Sequence, residues 1–348
     1  MKLRNPIAIL CDYLRTLVHD RYRWDRNLLS VGLDWQHFQK FAVMACYSGP
    51  TPAASVLASC AHLRDWGYGV VLVSNCPLNE VFVERAKESC IYVMQRQNWG
   101  YDFGAYRDGI HYLFKLKVLP RPLILLNDSI FYPINDEDQM LAAMERSDLG
   151  IVGAAMVREN RKGLFGPKKE IVGSFFIRFS ESAVASQGFI RYWRRYRLTN
   201  AKHSAVRHGE HRLTEAMREA GHVVGAIVSW QDVLTHIETL SDEAYAIYFP
   251  NVSRGELRRI ATGAQKRLAV IQVSAAFSVM HLGLNLIKRV DVAAAQSLVQ
   301  APSTMAFTSQ LDGPSSVIWA EIMSLIRKRP ENPALWTESN SDRPRLNR

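Results

Sequence analysis

The stretch "NWGYDFGAY", Asn98 to Tyr106, sets two glycines and an aspartate among aromatic side chains. Gly100 and Gly104 let the backbone approach a ligand or take a positive φ. Asp102 can accept hydrogen bonds from a base or a ribose, and Trp99, Tyr101 or Phe103 can stack on a ring. The same residues also make a tight strand-to-helix turn held by aromatics. The stretch is not GxGxxG, and with no GK[ST] it is not a P-loop. A second candidate is "LILLNDS", where Asn127, Asp128 and Ser129 end an apolar run. A carboxylate there can hold a divalent cation that bridges two phosphates, although Asn, Asp and Ser are also turn formers. A third is Glu210 in "RHGEHRLTEAMREAG". A carboxylate facing an acceptor hydroxyl serves as a general base, and an acid at a helix start is equally explained by the helix dipole. His203, His208 and His211 match no standard metal-ligand spacing, and there is no GxSxG motif.

These residues need a framework, and the hydrophobic pattern supplies one. Apolar runs at 40–48, 68–75, 90–96, 121–129 and 149–157 read as strands covered on both faces. Between them, 51–67, 77–89, 105 onward and 136–147 read as helices, the first with Thr51 as N-cap and Gly67 as its stop. The alternation predicts an α/β fold with a mostly parallel sheet flanked by helices. Ligands in such folds bind beyond the carboxyl ends of the strands, which here carry Tyr47, Asn75, the 97–104 stretch and Asn127–Ser129. Downstream, "EIVGSFFIRFS" reads as one strand, "ESAVASQGFIRYWRRYRL" as one helix, the run from Glu210 to Gly221 as another, and "HVVGAIVS" as a strand. Residues 1–36 read as helical and aromatic, 251–328 as a helical C-terminal region and 329–348 as a disordered tail. The main domain spans 37–250, with halves at 37–157 and 158–250.

A chain of 348 residues with 48% hydrophobic and 22% charged content builds an ordinary buried core. Its net charge of +10 favours anionic partners. Nucleic acid is set aside, because the basic residues do not interleave with aromatics along one element. The basic segment from Lys2 to Arg26 fits contact with an anionic membrane surface. Cys11, Cys46, Cys60, Cys76 and Cys90 lack CxxC spacing and mostly sit in apolar runs, which points to buried thiols in a reducing, cytoplasmic setting. The run from Leu268 to Ile287 is interrupted by Gln272, His281 and Asn285 and reads as core helix rather than membrane span.

Taken in order, "QNWGYDFGAYRDGI", "LILLNDSIFYPI", "DLGIVGAAM", "EIVGSFFIRFS", "HGEHRLTEAMREAG" and "SVMHLGLNLIKRVDV" resemble the rhamnan synthesis F proteins, rhamnosyltransferase-like enzymes of bacterial cell-surface polysaccharide assembly. The resemblance covers about residues 40–295. It implies a GT-A-type glycosyltransferase fold in which Asn98, Gly100 and Asp102 match the nucleotide-binding loop. Asn127, Asp128 and Ser129 take the place of the acidic metal motif, with Asp128 on a Mg or Mn ion. Tyr47 and Asn75 join them as nucleotide-sugar contacts. Glu210 falls where inverting relatives carry a Gly-Glu-Asp motif that supplies the base. The implied donor is a dTDP-rhamnose-like nucleotide sugar, and the implied acceptor is a glycan or a lipid-linked glycan. Arg158, Lys162 and Lys168 are expected to close over the diphosphate. The sequence departs from the family pattern at Tyr101, where a basic residue is usual, at His211, where relatives have an acid, and in having one acid in the metal motif. The alternative reading is a non-catalytic nucleotide- or glycan-binding protein on the same fold.

Overall fold

The computed structural model describes residues 6–158, 170–248, 253–255, 282–289 and 310–327. In chain order the elements are α1 (Pro6–Arg26), β1 (Leu28–Val31), β2 (Lys40–Cys46), α2 (Ala54–Asp65), β3 (Tyr68–Ser74), α3 (Glu80–Lys87), β4 (Tyr92–Gln95), α4 (Tyr101–Lys115), β5 (Leu123–Asn127) and β6 (Ile130–Phe131). Then come α5 (Gln139–Arg146), β7 (Ile151–Arg158), β8 (Glu170–Val172), β9 (Phe176–Phe179), α6 (Glu181–Ala185), α7 (Gln187–Arg195), α8 (Lys202–Val206), α9 (Arg212–Glu219) and β10 (Val224–Ser229). The last are α10 (Trp230–Thr239), α11 (Asp242–Tyr248), β11 (Ile287–Lys288) and α12 (Pro314–Arg327).

The expected mostly parallel sheet with flanking helices is present. Its strand order is β1-β4-β3-β2-β5-β9-β7-β10, with β8 on β7. Strands β4, β3, β2 and β5 run parallel, in a register that sets Val43 beside both Val71 and Leu125. Strand β9 lies antiparallel between β5 and β7, and β1 is an antiparallel edge. The central strands are apolar at nearly every position because both faces are covered. Phe41, Val43, Ala45, Val71 and Val73 pack against Tyr106 and Ile110 of α4, Trp193 of α7 and Met217 of α9. Ala42, Met44, Val70 and Leu72 pack against Val56 and Leu63 of α2, Phe82 of α3 and Leu141 of α5. A smaller apolar cluster joins Phe131, Ile287, Ala58 and Ile318, so α12 packs onto α2 and the short β6–β11 pair.

Several local expectations are corrected. Residues 28–31 pair with β4 rather than continuing α1, and Trp35–His37 is a 3-10 turn. Helix α2 starts at Ala54 without a side-chain cap; the Thr51 hydroxyl instead accepts from Asn79 Nδ2 at 2.5 Å. Gly67 does end that turn, with φ +83°. The "EIVGSFFIRFS" run splits into β8 and β9 around Gly173–Phe175. The 181–198 helix breaks at Ser186, whose hydroxyl accepts from Phe189 N and caps α7. Ile287–Lys288 is a strand, because its backbone is used by β6. Cys46, Cys60 and Cys90 are buried, but Cys11 is exposed on α1 and Cys76 is half-buried. Lys162, Lys168, the 329–348 tail and most of the run from Leu268 to Ile287 lie outside the described residues. Arg158 is described only as the last backbone position of β7. Among the described residues no helix is long and apolar enough to cross a membrane.

Candidate active site

The stretch from Arg96 to Gly104 is held from beneath by a buried ionic network. Arg96 leaves the end of β4 fully buried. Its Nε donates to Asp108 Oδ2 at 2.7 Å, Nη1 to Asn75 Oδ1 at 2.5 Å and Nη2 to the Trp99 carbonyl at 2.8 Å. His19 Nε2 on α1 lies 2.9 Å from Asp108 Oδ2. Burial alone would raise the Asp108 carboxyl, but Arg96, the His19 hydrogen bond and Arg107 outweigh it and hold the group well below the usual carboxylate range. Asn75 completes the clamp by donating to the Tyr101 carbonyl at 3.2 Å. Both ends of its amide are therefore spent on positioning the loop.

The two glycines owe their identity to the same packing. Helix α4 begins at Tyr101, not near Ala105, so Gly100 is its N-cap, left-handed at φ +86°. A Cβ on Gly100 would come 2.8 Å from Leu198 Cδ2; one on Gly104 would come 2.1 Å from the Trp99 carbonyl oxygen and 3.1 Å from the Arg96 guanidinium. Phe103 is buried and stacks with Trp193 and Tyr196. Trp99 meets the His19 ring edge-on. The Phe103 ring is core rather than a platform for a ligand, which corrects the stacking expectation for it, while Trp99 is half-buried. Tyr101 is partly exposed, and its hydroxyl donates to the Asn200 carbonyl at 2.8 Å. Asn98 is half-buried on the loop.

Above this base, near the ends of β2 and β5, Asp102 lies within electrostatic reach of two further carboxylates, Asp128 and Glu210. Asp102, in the first turn of α4, accepts from Asn127 Nδ2 at 3.0 Å. Burial, then the neighbouring Asp128 and Glu210 charges, push its carboxyl from an ordinary 3.8 up to about 7. Asp128 Oδ2 accepts from the Tyr47 backbone N–H at 2.7 Å and Ser48 Oγ at 2.6 Å, which fixes the loop after β2. The Tyr47 side chain is 59% exposed at the rim. Ser129 N–H donates to Asn127 Oδ1 at 3.1 Å, an Asx turn that presents Asp128, and Ser129 Oγ donates to the same oxygen at 2.5 Å. Glu210 stands not in a regular helix but in a π-helical turn, Arg207–His211, just before α9. The Tyr192 hydroxyl binds the His208 and Gly209 carbonyls there, at 3.0 and 3.1 Å. Glu210 Oε1 accepts from Ser174 Oγ at 2.6 Å, and the Ser174 carbonyl accepts from the Tyr106 hydroxyl at 3.0 Å.

Some contributors were missed at the sequence level. Ser174 sits in the break between β8 and β9. Arg289 follows β11: its Nε donates to the Asp128 carbonyl at 2.6 Å, its Nη1 pairs with Glu321 of α12 at 2.6 Å, and its Nη2 donates to Ser55 Oγ. Lys288 Nζ lies 4.2 Å from the centre of the Phe175 ring. The only available signal was the Lys-Arg pair in "NLIKRVDV", which carried no sign of its spatial partner.

As a metal centre the set is incomplete. Among the described residues no group of three His, Cys, Asp or Glu side chains is placed to hold a metal ion, and one oxygen of Asp128 already accepts two hydrogen bonds. A cation held by protein alone does not fit. One carried in on a diphosphate, with Asp128 as a single protein ligand, does. Elsewhere, a cleft of about 990 Å³ opens between α7, α8 and α9, and none of the three acids lines it.

A family model described as rhamnan synthesis protein F matches residues 70–252. The uncharacterized protein y4gN of Sinorhizobium fredii is 34% identical over 193 residues, 56% of this chain and 49% of its own length. This chain thus spans about half of that relative. Among solved structures, the glycosyltransferase GlyE of Streptococcus pneumoniae aligns with 84% of this chain and 65% of its own, at 11% identity and a TM-score of 0.34.

Proposed function

The chain belongs to the rhamnan synthesis protein F family, and from that premise we propose that it is a glycosyltransferase. On this reading it has a GT-A-type arrangement and moves a sugar, rhamnose or another deoxysugar, from a nucleoside-diphosphate donor to a glycan or lipid-linked acceptor. It works at the cytoplasmic face of the membrane and inverts the anomeric centre. The observation that carries the reading is the grouping of Asp102, Asp128 and Glu210 beyond the carboxyl ends of β2 and β5, where burial first, and then the two neighbouring charges, push the Asp102 carboxyl up to about 7.

Glu210 is the general base. It takes the proton of the acceptor hydroxyl as that oxygen attacks the anomeric carbon, while the bond to the diphosphate oxygen breaks on the opposite face. Ser174 orients its carboxylate. Asp128 would hold a divalent cation arriving with the donor, and such an ion neutralises charge on the departing diphosphate. Asn127, Ser129, Tyr47, Asn98 and Gly100 line the donor side, with Asn75 acting through the loop it clamps. Asp102, its carboxyl raised to about 7, can donate a hydrogen bond when protonated as well as accept one.

The two hydrogen bonds already made by Asp128 favour a second reading, nucleotide or glycan binding without transfer. One experiment separates the two. Thermal stability is measured against dTDP, UDP, GDP and CDP, each with and without manganese, for wild type and Asp128→Ala, alongside release of nucleotide from the matching sugar donor. A nucleotide at 100 times its Kd adds about 2.7 kcal/mol. Stabilisation with a manganese gain lost in the variant, together with nucleotide release, supports transfer. Stabilisation without release supports binding alone, and no stabilisation by any nucleotide removes transfer and nucleotide binding and leaves only glycan binding.

A further inference from the structure

Helix α1 is amphipathic in the reverse of the usual sense. The side chains it turns into the protein are polar: Asp12, Thr16 and His19 are buried. Thr16 Oγ1 donates to the Asp12 carbonyl and accepts from Leu198 N at 3.1 Å, and His19 holds Asp108. The side chains it turns to solvent are apolar. Leu10, Tyr13, Leu14, Leu17, Val18 and Tyr22 are each at least 40% exposed. At roughly 100° per residue they share one face about 18 Å long. A surface helix ordinarily buries such a stripe, and scattered exposed apolar residues do not form one.

The stripe borders positive charge. Arg197 Cζ lies 5.0 Å from the centre of the Tyr13 ring. Arg197 also lines the 990 Å³ cleft with Asp12, Arg191, Arg195 and Arg207. The last three are exposed and make no ion pair among the described residues. Arg21 projects from the middle of the stripe itself, beside Tyr22. A second copy docked on this face would bring guanidinium against guanidinium. Lipid phosphates over an apolar layer satisfy both the arginines and the leucines, and a long Arg21 stem can lie along the apolar layer with its head among phosphates.

We propose that the outer face of α1 is a docking surface for an anionic lipid bilayer, its leucines at the acyl boundary and the neighbouring arginines against lipid phosphates. This deepens the membrane-contact part of the function proposed above and is independent of sugar transfer. The test therefore needs no donor. The full chain is floated with vesicles of phosphatidylcholine alone or mixed with phosphatidylglycerol, as wild type, Leu14→Glu with Leu17→Glu, and Arg191→Glu with Arg195→Glu. All four positions are exposed, so thermal melting reports that each variant folds. An environment-sensitive fluorophore on Cys11, in a Cys76→Ser background, reads the same face, because Cys11 is exposed next to Val18 around the helix.

The expected result is flotation with the phosphatidylglycerol vesicles that weakens with salt, a blue shift of the Cys11 probe, and a loss of at least about tenfold in both double variants. Three results overturn the proposal: no flotation of wild type, unchanged flotation of the leucine variant, or a dimeric wild type that the leucine variant converts to monomer, which would give the face to a second copy. Flotation without any nucleotide binding would remove the transferase reading and leave this one standing.

Discussion

Asp102→Asn isolates the electrostatics of the site. The substitution keeps the shape and leaves an oxygen to accept from Asn127 Nδ2, but removes the charge that Asp128 and Glu210 oppose. With its carboxyl at about 7 in the folded protein and near 3.9 in the unfolded chain, Asp102 binds its proton more tightly when folded. Its penalty is absent below about pH 4, grows as pH rises and is complete just above pH 7. At about 1.4 kcal/mol per pH unit, wild type should lose about 2.5 kcal/mol relative to Asp102→Asn between pH 5 and pH 8. Urea denaturation of both proteins at the two pH values measures this, and taking the difference of differences cancels every other titrating group that the substitution leaves alone. A stability gap that is the same at pH 5 and pH 8 would refute the reasoning, since it would mean the three carboxylates do not share one low-dielectric site.

Glu210→Gln should lower sugar transfer by about 10²- to 10⁴-fold while donor-induced stabilisation stays within error, because it removes the base and not the donor side; initial rates with saturating donor measure it. Asp108→Asn leaves Arg96 buried without its counter-charge and should cost about 3–5 kcal/mol at pH 7. Because the Asp108 carboxyl is held low when folded, this contribution is present above about pH 4 and is lost as pH falls further. Urea midpoints at pH 7 and pH 3 check both the size and the direction.

The parts of the site readable from sequence are those that depend on neighbours a few positions away. Asn127–Ser129 was visible because polar residues interrupt an apolar run, and a strand covered on both faces must surface there. Glu210 was visible as an acid ahead of an amphipathic run, yet the π-helical turn that carries it is tied by the Tyr192 hydroxyl and packs at Gly209 against Phe103, where a Cβ would come 2.6 Å from the ring, and local pattern encodes neither contact. Gly100 and Gly104 were legible as special positions but not for the operative reason. Leu198 and the Arg96 guanidinium forbid a side chain at these places, and neither is predictable without the fold. Asn75 looked like a ligand contact because it ends a strand, and it turned out to belong to a clamp closed by Arg96. Residues 1–36 read as helical and aromatic, but that composition cannot say which face of α1 meets water; His19 and Asp108, 89 residues apart, decide that.

Arg289 stands 161 residues beyond Asp128 in the chain, yet it binds that residue's carbonyl and anchors to Glu321. The segment matched by the family ends at residue 252, so it is not a self-sufficient unit. Cutting the chain there would strip the partner from β6, bare a strand edge and leave the Asp128 carbonyl to water. Truncation series and domain exchanges with relatives must therefore carry β11 and α12 along with the sheet. A recombination point anywhere between Asp128 and Arg289 would separate two residues that the fold joins by a hydrogen bond.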